Sequence, residues 1–344
     1  MEEEKKLYPL RLCPIVDEYS WGSEEFKLAD LGYKDSLIAE GWLAANTLGE
    51  VMDMYMDRVT GEDAFAYYGR QFPFELKYLK VKGKMPLRVH PDDETAAQRY
   101  DFLGKEKLWY IVHAGKDARL MIGFNKDTDA SEVYGKCLDG SIGDILNVIT
   151  PVEGQCFHIA PGTAHAAEGD ILIAEVSESS PLDFCMCGWG CPVSPDEFDE
   201  SLSLVDALDF INYRKSDAKA VSDGSNPEIR QFTSNIIDLK DALKTGPGHN
   251  DCPVAYICIK GEASVQVDMQ GLGTVSYTLK EGSTVLIPAE VSDYVLAPVQ
   301  AGTRLLETLV ESRPEADAYI NPDVPAKLDD DDDSDNGSAN TLLN

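Results

Sequence analysis

Pro86-Leu87-Arg88-Val89-His90-Pro91-Asp92-Asp93 and Pro161-Gly162-Thr163-Ala164-His165-Ala166 decide how this chain is read. Each stretch ends a short β-type run on a histidine beside a proline or glycine turn. Two histidines far apart in sequence, each at a strand edge, are the makings of a metal or sugar site in a β-barrel. The charges around them are unusual for a metal. Arg88, Lys105 and Lys107 crowd the neighbourhood with positive charge, where a divalent ion calls for neutral or negative ligands.

Outward from these segments the texture is mostly β. Phe72 to Lys82 is apolar and extended, and Leu108–Val112 and Arg119–Phe124 read as strands. Gln155–Ile159, Ile171–Ser177 and Phe184–Cys187 follow in the same way. Asp92 to Tyr100 opens with acidic residues after Pro91, a helix start. Helices are also expected from Asp127, over Ser141 to Val148, and over Pro195 to Tyr213, while Glu50 to Arg58 is ambiguous. Ser222-Asp223-Gly224-Ser225-Asn226 is the best linker. Beyond it, short strands punctuated by Gly261, Gly271, Gly273 and Gly282 suggest a second small antiparallel barrel. Leu279–Ala289 echoes Pro151–Gly162, turn glycine then strand then proline turn, a weak internal repeat of two related barrels.

The organisation expected is therefore mainly β with some α. A first barrel spans 1–190 and carries the candidate site, with a helical insertion near 127–148. A helical connector and linker (191–228), a second barrel (229–312) and an acidic, disordered tail (313–344) complete it. The 344 residues carry a net charge of −31, which argues against a nucleic-acid partner. No apolar run approaches a membrane span. The acidic start, Met1-Glu2-Glu3-Glu4, has no secretory h-region, so a cytoplasmic location is expected. The eight cysteines include no CxxC pair and read as reduced core residues. Cys185, Cys187 and Cys191 have a spacing that could hold zinc, but strand alternation makes Cys185 and Cys187 small fillers on one face. His113 reads as solvated or hydrogen-bonded, His158 is a lesser ligand candidate, Trp109 reads as packing, and Thr163 as shaping the turn that presents His165.

Five ordered blocks carry a resemblance. They are Phe74 with Lys77; Leu87-Arg88-Val89-His90-Pro91-Asp92-Asp93-Glu94; Gly104-Lys105-Glu106-Lys107-Leu108-Trp109-Tyr110; Pro161 to Ala166; and Ile173-Ala174-Glu175. With Trp21-Gly22 and Glu40-Gly41-Trp42, the chain from about residue 8 to 190 resembles type I phosphomannose isomerase, short bacterial form. The resemblance implies two cupin-like jelly-roll β-barrels. It also implies zinc and the interconversion of mannose 6-phosphate and fructose 6-phosphate. That family holds its metal with a Gln and a His two apart on one strand, a Glu, and a second His. His90 and His165 match, whereas Arg88 stands at the Gln position and Lys107 at the Glu position. Cys185 stands where the family has an Arg. Lys77 and Lys105 match active-site lysines.

Lys77, Lys105 and Arg88 are thus the candidate catalytic residues. Lys77, Lys105, Lys107 and Glu178 are the candidate contacts to a small sugar phosphate. His90, His165 and Glu106 are the candidate zinc ligands, Glu106 only if its strand slips by one residue. Two readings of the changed residues stand side by side. In one, Lys77, Arg88, Lys105 and Lys107 form a cationic cup for an anionic ligand, partly offset by Glu175, Glu178 and Asp183. In the other, Arg88 and Lys107 join an internal salt-bridge network. The corresponding functions are the isomerase or, alternatively, a metal-poor cupin that binds a sugar phosphate or another anion without turnover. No feature points to an oligomeric state.

Overall fold

Period-two alternation over short runs, each closed by a turn, builds this chain into sheets. The computed structural model describes residues 5–190, 200–221, 229, 231–245, 252–269 and 273–310. These residues form a mainly β molecule of four sheets with short helices between strands. The linker 222–226, Cys191, His249 and the tail from 313 lie outside the described residues.

Two sheets come from the first half of the chain. The larger has six strands in the spatial order β2 (Ile15–Tyr19), β3 (Gly22–Leu28), β4 (Phe74–Val81), β11 (Ile171–Glu178), β6 (Lys107–Ala114) and β9 (Cys156–Ile159). The smaller has the order β12 (Phe184–Cys187), β5 (Leu87–Val89), β10 (His165–Glu168), β7 (Arg119–Phe124) and β8 (Leu146–Ile149). The other two sheets come from the second half, apart from β1. One runs β1 (Leu10–Arg11), β18 (Thr284–Ile287), β15 (Val254–Lys260), β20 (Thr303–Leu309) and β13 (Thr233–Leu239). The other runs β14 (Leu243–Lys244), β19 (Val295–Pro298), β16 (Glu262–Met269) and β17 (Gly273–Lys280). All named strand pairings are antiparallel.

The larger amino-terminal sheet is buried on both faces, and that positions the site. On β4, Phe74, Leu76 and Tyr78 join one core with Ala174 and Val176 of β11 and with carboxy-terminal residues such as Tyr256 and Leu286. Leu79 and Val81 of β4 and Ile173 of β11 join a second core, inside the amino-terminal pair of sheets, with Trp109 and Ile122. The chain start is stitched to the far half. Leu10 pairs with Leu286 and Arg11 with Val285, so β1 is an edge strand of a carboxy-terminal sheet.

Most expected elements are present. Phe184–Cys187 and Arg119–Phe124 coincide with β12 and β7, and Asp92 caps the helix Asp93–Tyr100 through its side chain. The ambiguous stretch near Glu50 is helical over Leu48–Tyr55, opened by a capping box between Thr47 and Glu50. One helix is shorter than expected, and another ends earlier. Ser141 to Val148 gives a single 3₁₀ turn, Ile142–Ile145, and then strand β8. Gly143 weakens the helix there, and Val148 and Ile149 find partners in Met121 and Leu120 of β7. Of Pro195–Tyr213, the described helix is Glu200–Ala207. Beyond it the chain straightens to hydrogen-bond Asn212 N to Gly162 O, beside the second histidine turn.

Leu10 is fully buried in the core that links the two halves. Leu10→Ala is expected to lower unfolding stability by about 2–5 kcal/mol, measured by chemical denaturation. A loss under about 1 kcal/mol contradicts this role for the first strand.

Candidate active site

Strand facing assembles the site. On β11, Glu175 stands opposite Lys77 of β4 on one side and Trp109 of β6 on the other. Two residues on, Ser177 stands opposite Glu75 of β4 and Lys107 of β6. Six inward residues of three adjacent strands therefore form two rows on one face. Across from them, on the smaller sheet, Arg88 of β5 is paired with His165 of β10 and with Cys185 of β12. His90 follows β5 directly, and its carbonyl accepts the N–H of Gly162 at 2.7 Å, tying the two histidine turns together. Gly162 has φ +76°, and a Cβ there would stand 2.7 Å from the Phe210 carbonyl, so this turn requires glycine.

The charged side chains pair completely. Lys77 Nζ lies 3.2 Å from Glu175, 3.3 Å from Glu75 and 3.8 Å from Glu24. Lys105 Nζ donates to Glu75 at 2.8 Å, and Ser177 Oγ donates to the same oxygen at 2.8 Å. Lys107 Nζ lies 3.3 Å from both oxygens of Glu175, and Trp109 Nε1 donates to Glu175 at 2.6 Å. Arg88 donates to Glu24 at 2.6 Å and to Asp183 at 2.9 Å. Four cations thus meet four carboxylates: Glu24, Glu75, Glu175 and Asp183. Of the two readings of the changed residues, the internal salt-bridge network of Arg88 and Lys107 is the one observed, and the surplus-positive cup is not. Glu24 of β3 and Glu75 of β4 supply the charge that reading left out, and low-dielectric burial demands it.

Every member but Asp183 is buried, and the Asp183 side chain, 32% exposed, marks where the site meets solvent. The pairing is written into the acidities. Burial alone would raise Glu175, but Lys107 and Lys77 outweigh it and hold the carboxyl well below its usual range. Burial likewise opposes charge on Asp183, yet Arg88 and Lys107 bring it down to about 2. Burial would lower Lys77 and Arg88, and their carboxylates instead raise both. Lys107 is the exception: burial, aided by Lys77 and Lys105, outweighs Glu175 and brings its ammonium down to about 8.

The two imidazoles are neutral. Burial and the nearby Lys107 push His165 down to about 3, and burial with Lys107 pushes His90 well below its ordinary value. His90 Nδ1 sits 2.9 Å from the Leu182 carbonyl and His165 Nδ1 2.8 Å from the Thr163 carbonyl, so both rings are N–H donors there. Thr163 therefore does position His165. Both Nε2 atoms are buried without a hydrogen-bond partner. The ring centroids are 5.1 Å apart, and Trp109 meets His165 edge-on at 5.4 Å.

Two candidate site residues lie elsewhere. Glu106 pairs with His158 instead of joining the two histidines, because the strand does not slip and Lys107 keeps the inward position. Glu178, at the end of β11, accepts the N–H of Glu106 at 2.8 Å. Burial, with Asp93 nearby, raises its carboxyl well above the usual range. Lys77, Arg88, Lys105 and Lys107 do come together with His90 and His165. His113 is on the surface with Glu153 and Asp170, as its reading as a solvated residue requires. A cavity of about 440 Å³ opens on the other face of the larger sheet, lined by Lys27, Tyr78, Ile259 and Glu281, and is separate from this site.

Among the described residues no group of three His, Cys, Asp or Glu side chains is placed to hold a metal ion. The two unpartnered Nε2 atoms would suit one, but they are only two donors. At the facing positions Arg88 and Lys107 have no lone pair to give. Zinc, which the resemblance implies, does not fit the residues present.

No family model matches the chain. The Bacillus subtilis protein named "Putative mannose-6-phosphate isomerase YvyI" is 23% identical over 322 residues, 84% of this chain and 95% of that protein. Mannose-6-phosphate isomerase ManA of the same organism is 28% identical over 195 residues, 51% of this chain and 59% of that one. The crystal structure of the mannose 6-phosphate isomerase from Bacillus subtilis superimposes with a TM-score of 0.69 at 18% identity. That match covers 87% of this chain and 99% of that one. The expected resemblance is borne out in sequence and in fold.

Glu175→Gln removes the charge that Lys77 and Lys107 share. It is expected to cost about 3–5 kcal/mol in chemical denaturation, the scale for leaving a buried charge unpaired; a loss under about 1 kcal/mol contradicts the pairing. Lys107 makes a pH prediction. Its folded value, about 8, lies below the ordinary 10.5, so in that window the unfolded chain binds a proton that the folded one does not. Stability relative to Lys107→Met should therefore rise from pH 8 to 10.5, by up to about 3 kcal/mol, and a fall would contradict it.

Proposed function

We propose that this chain, a relative of the mannose-6-phosphate isomerases, binds a phosphorylated hexose between its amino-terminal sheets and interconverts the aldose and ketose forms, mannose 6-phosphate and fructose 6-phosphate. The near end-to-end match to a relative so named carries the reading. Retention of Lys77, His90, Lys105 and His165 in one site supports it. We read the two pairs of sheets as two cupin-type jelly-roll barrels, the first holding the site. An intracellular place in sugar metabolism accords with that substrate.

Isomerisation moves a proton between C1 and C2 and places negative charge on the carbonyl oxygen. The ammonium groups of Lys77 and Lys105 are the donors suited to that oxygen. A neutral His90 or His165, with its Nε2 lone pair open, is the acceptor suited to the proton. No step runs through zinc. Burial beside Lys107 makes these imidazoles weak bases, and every cation is already matched by a carboxylate. Those two observations favour a second reading, a module that binds the sugar phosphate or another anion without turnover.

Formation of fructose 6-phosphate from mannose 6-phosphate by the purified full chain is the test. Turnover that falls about tenfold or more in kcat/KM with Lys105→Ala supports the isomerase. Binding of mannose 6-phosphate that Lys105→Ala abolishes, with no turnover in the parent, supports the module instead. Neither binding nor turnover overturns both.

A further inference from the structure

We infer that Arg88 and Lys107 take the place of a divalent ion in this site, as fixed cations held by the chain's own carboxylates, so that no metal binds between His90 and His165.

The histidines alone are still set up as ligands. Each has Nδ1 fixed on a backbone carbonyl and Nε2 turned into a buried space with no partner. Such outer hydrogen bonds are what orient a ligating imidazole. Two donors fall short of the three protein ligands of an open zinc site and the four of a closed one. Asp183 Oδ1 stands 3.9 Å from His90 Nε2, and that carboxylate is already held by Arg88. Arg88 is the strand neighbour of His165, and Lys107 shares Glu175 with Trp109, whose ring touches His165.

The nearby carboxylates cannot change sides at low cost. Glu175 already serves Lys77, Lys107 and Trp109, and Asp183 serves Arg88. A metal that recruited Glu175 would leave Lys107 uncompensated, and one that recruited Asp183 would leave Arg88 with Glu24 alone. It would also sit within several ångströms of two positive charges, a repulsion of several kcal/mol at an intermediate dielectric. The fixed cations neutralise buried carboxylates, Lys107 within the larger sheet at Glu175 and Arg88 between the sheets at Glu24 and Asp183. The inference concerns the same pocket as the proposed function, but metal content decides it whether or not the chain turns over sugar.

The test is metal content by elemental analysis of the full chain after equilibration with Zn²⁺, against His90→Ala. The acidic run from Asp329 would attract divalent ions on charge alone, so site uptake is the part that His90→Ala removes. The expected result is no difference between the two proteins. A full equivalent of zinc lost in His90→Ala overturns the inference.

A second variant, Arg88→Gln with Lys107→Glu, replaces both cations by oxygen donors. It is expected to take up one equivalent of Co²⁺ with the absorbance of a tetrahedral site. Its thermal midpoint should rise with Zn²⁺ while the parent's does not. A folded double variant that takes up no metal overturns the claim that these cations stand in the ion's place. If the variant does not fold, the His90→Ala comparison still decides.

Discussion

Glu175 is a carboxylate with 1% of its surface exposed, on a central strand of a sheet that is covered on both faces. A charge so placed must be neutralised where it stands, because no water reaches it. Lys77 approaches from β4, Lys107 and Trp109 from β6, and their positions follow from the strand register alone. Once those lysines are present, Glu75 must answer Lys77 and Lys105, and Glu24 and Asp183 must answer Arg88. The interior between the two amino-terminal sheets thus holds a connected circuit of charge beside its apolar core, and Arg88 of β5 ties that circuit to Glu24 of β3.

Much of this was legible in the chain itself. Alternation placed Arg88 with His90 and Lys107 with Trp109, and the turn signals at Pro91 and Pro161-Gly162 placed both histidines at strand ends. The histidines, three lysines and the arginine do converge. What could not be read was the partner set. Glu75 lies two residues before Lys77 on the same strand face, a signal that was available and passed over. Glu24 sits in a hairpin whose pairing to β4 is set by tertiary contacts, and no local pattern announces it. Glu106 was admitted as a ligand on a register slip that the ladder to β11 and β9 forbids. Similarly, the helix expected after Ser141 gave way to a strand because β7 offered pairing, a long-range gain that local propensity does not see.

The same circuit shapes what the site can do. Its cations are spent on carboxylates, so under the proposed function attraction for an anionic sugar would rest on hydrogen-bond donors of Lys77 and Lys105 more than on net charge. The imidazoles keep open lone pairs but little basicity. Likeness to the mannose-6-phosphate isomerases runs along nearly the whole chain. A fold can persist while its site changes chemistry, and function is settled at the site.

The central claim is that Lys107 and Glu175 are mutually dependent buried charges. A double-mutant cycle measures this directly, using Lys107→Met, Glu175→Gln and the two together in chemical denaturation. The account predicts that the combined variant is less destabilised than the sum of the singles, with a coupling of about 1–3 kcal/mol. Strict additivity would contradict it, and the network would then be a set of neighbours with no shared energy.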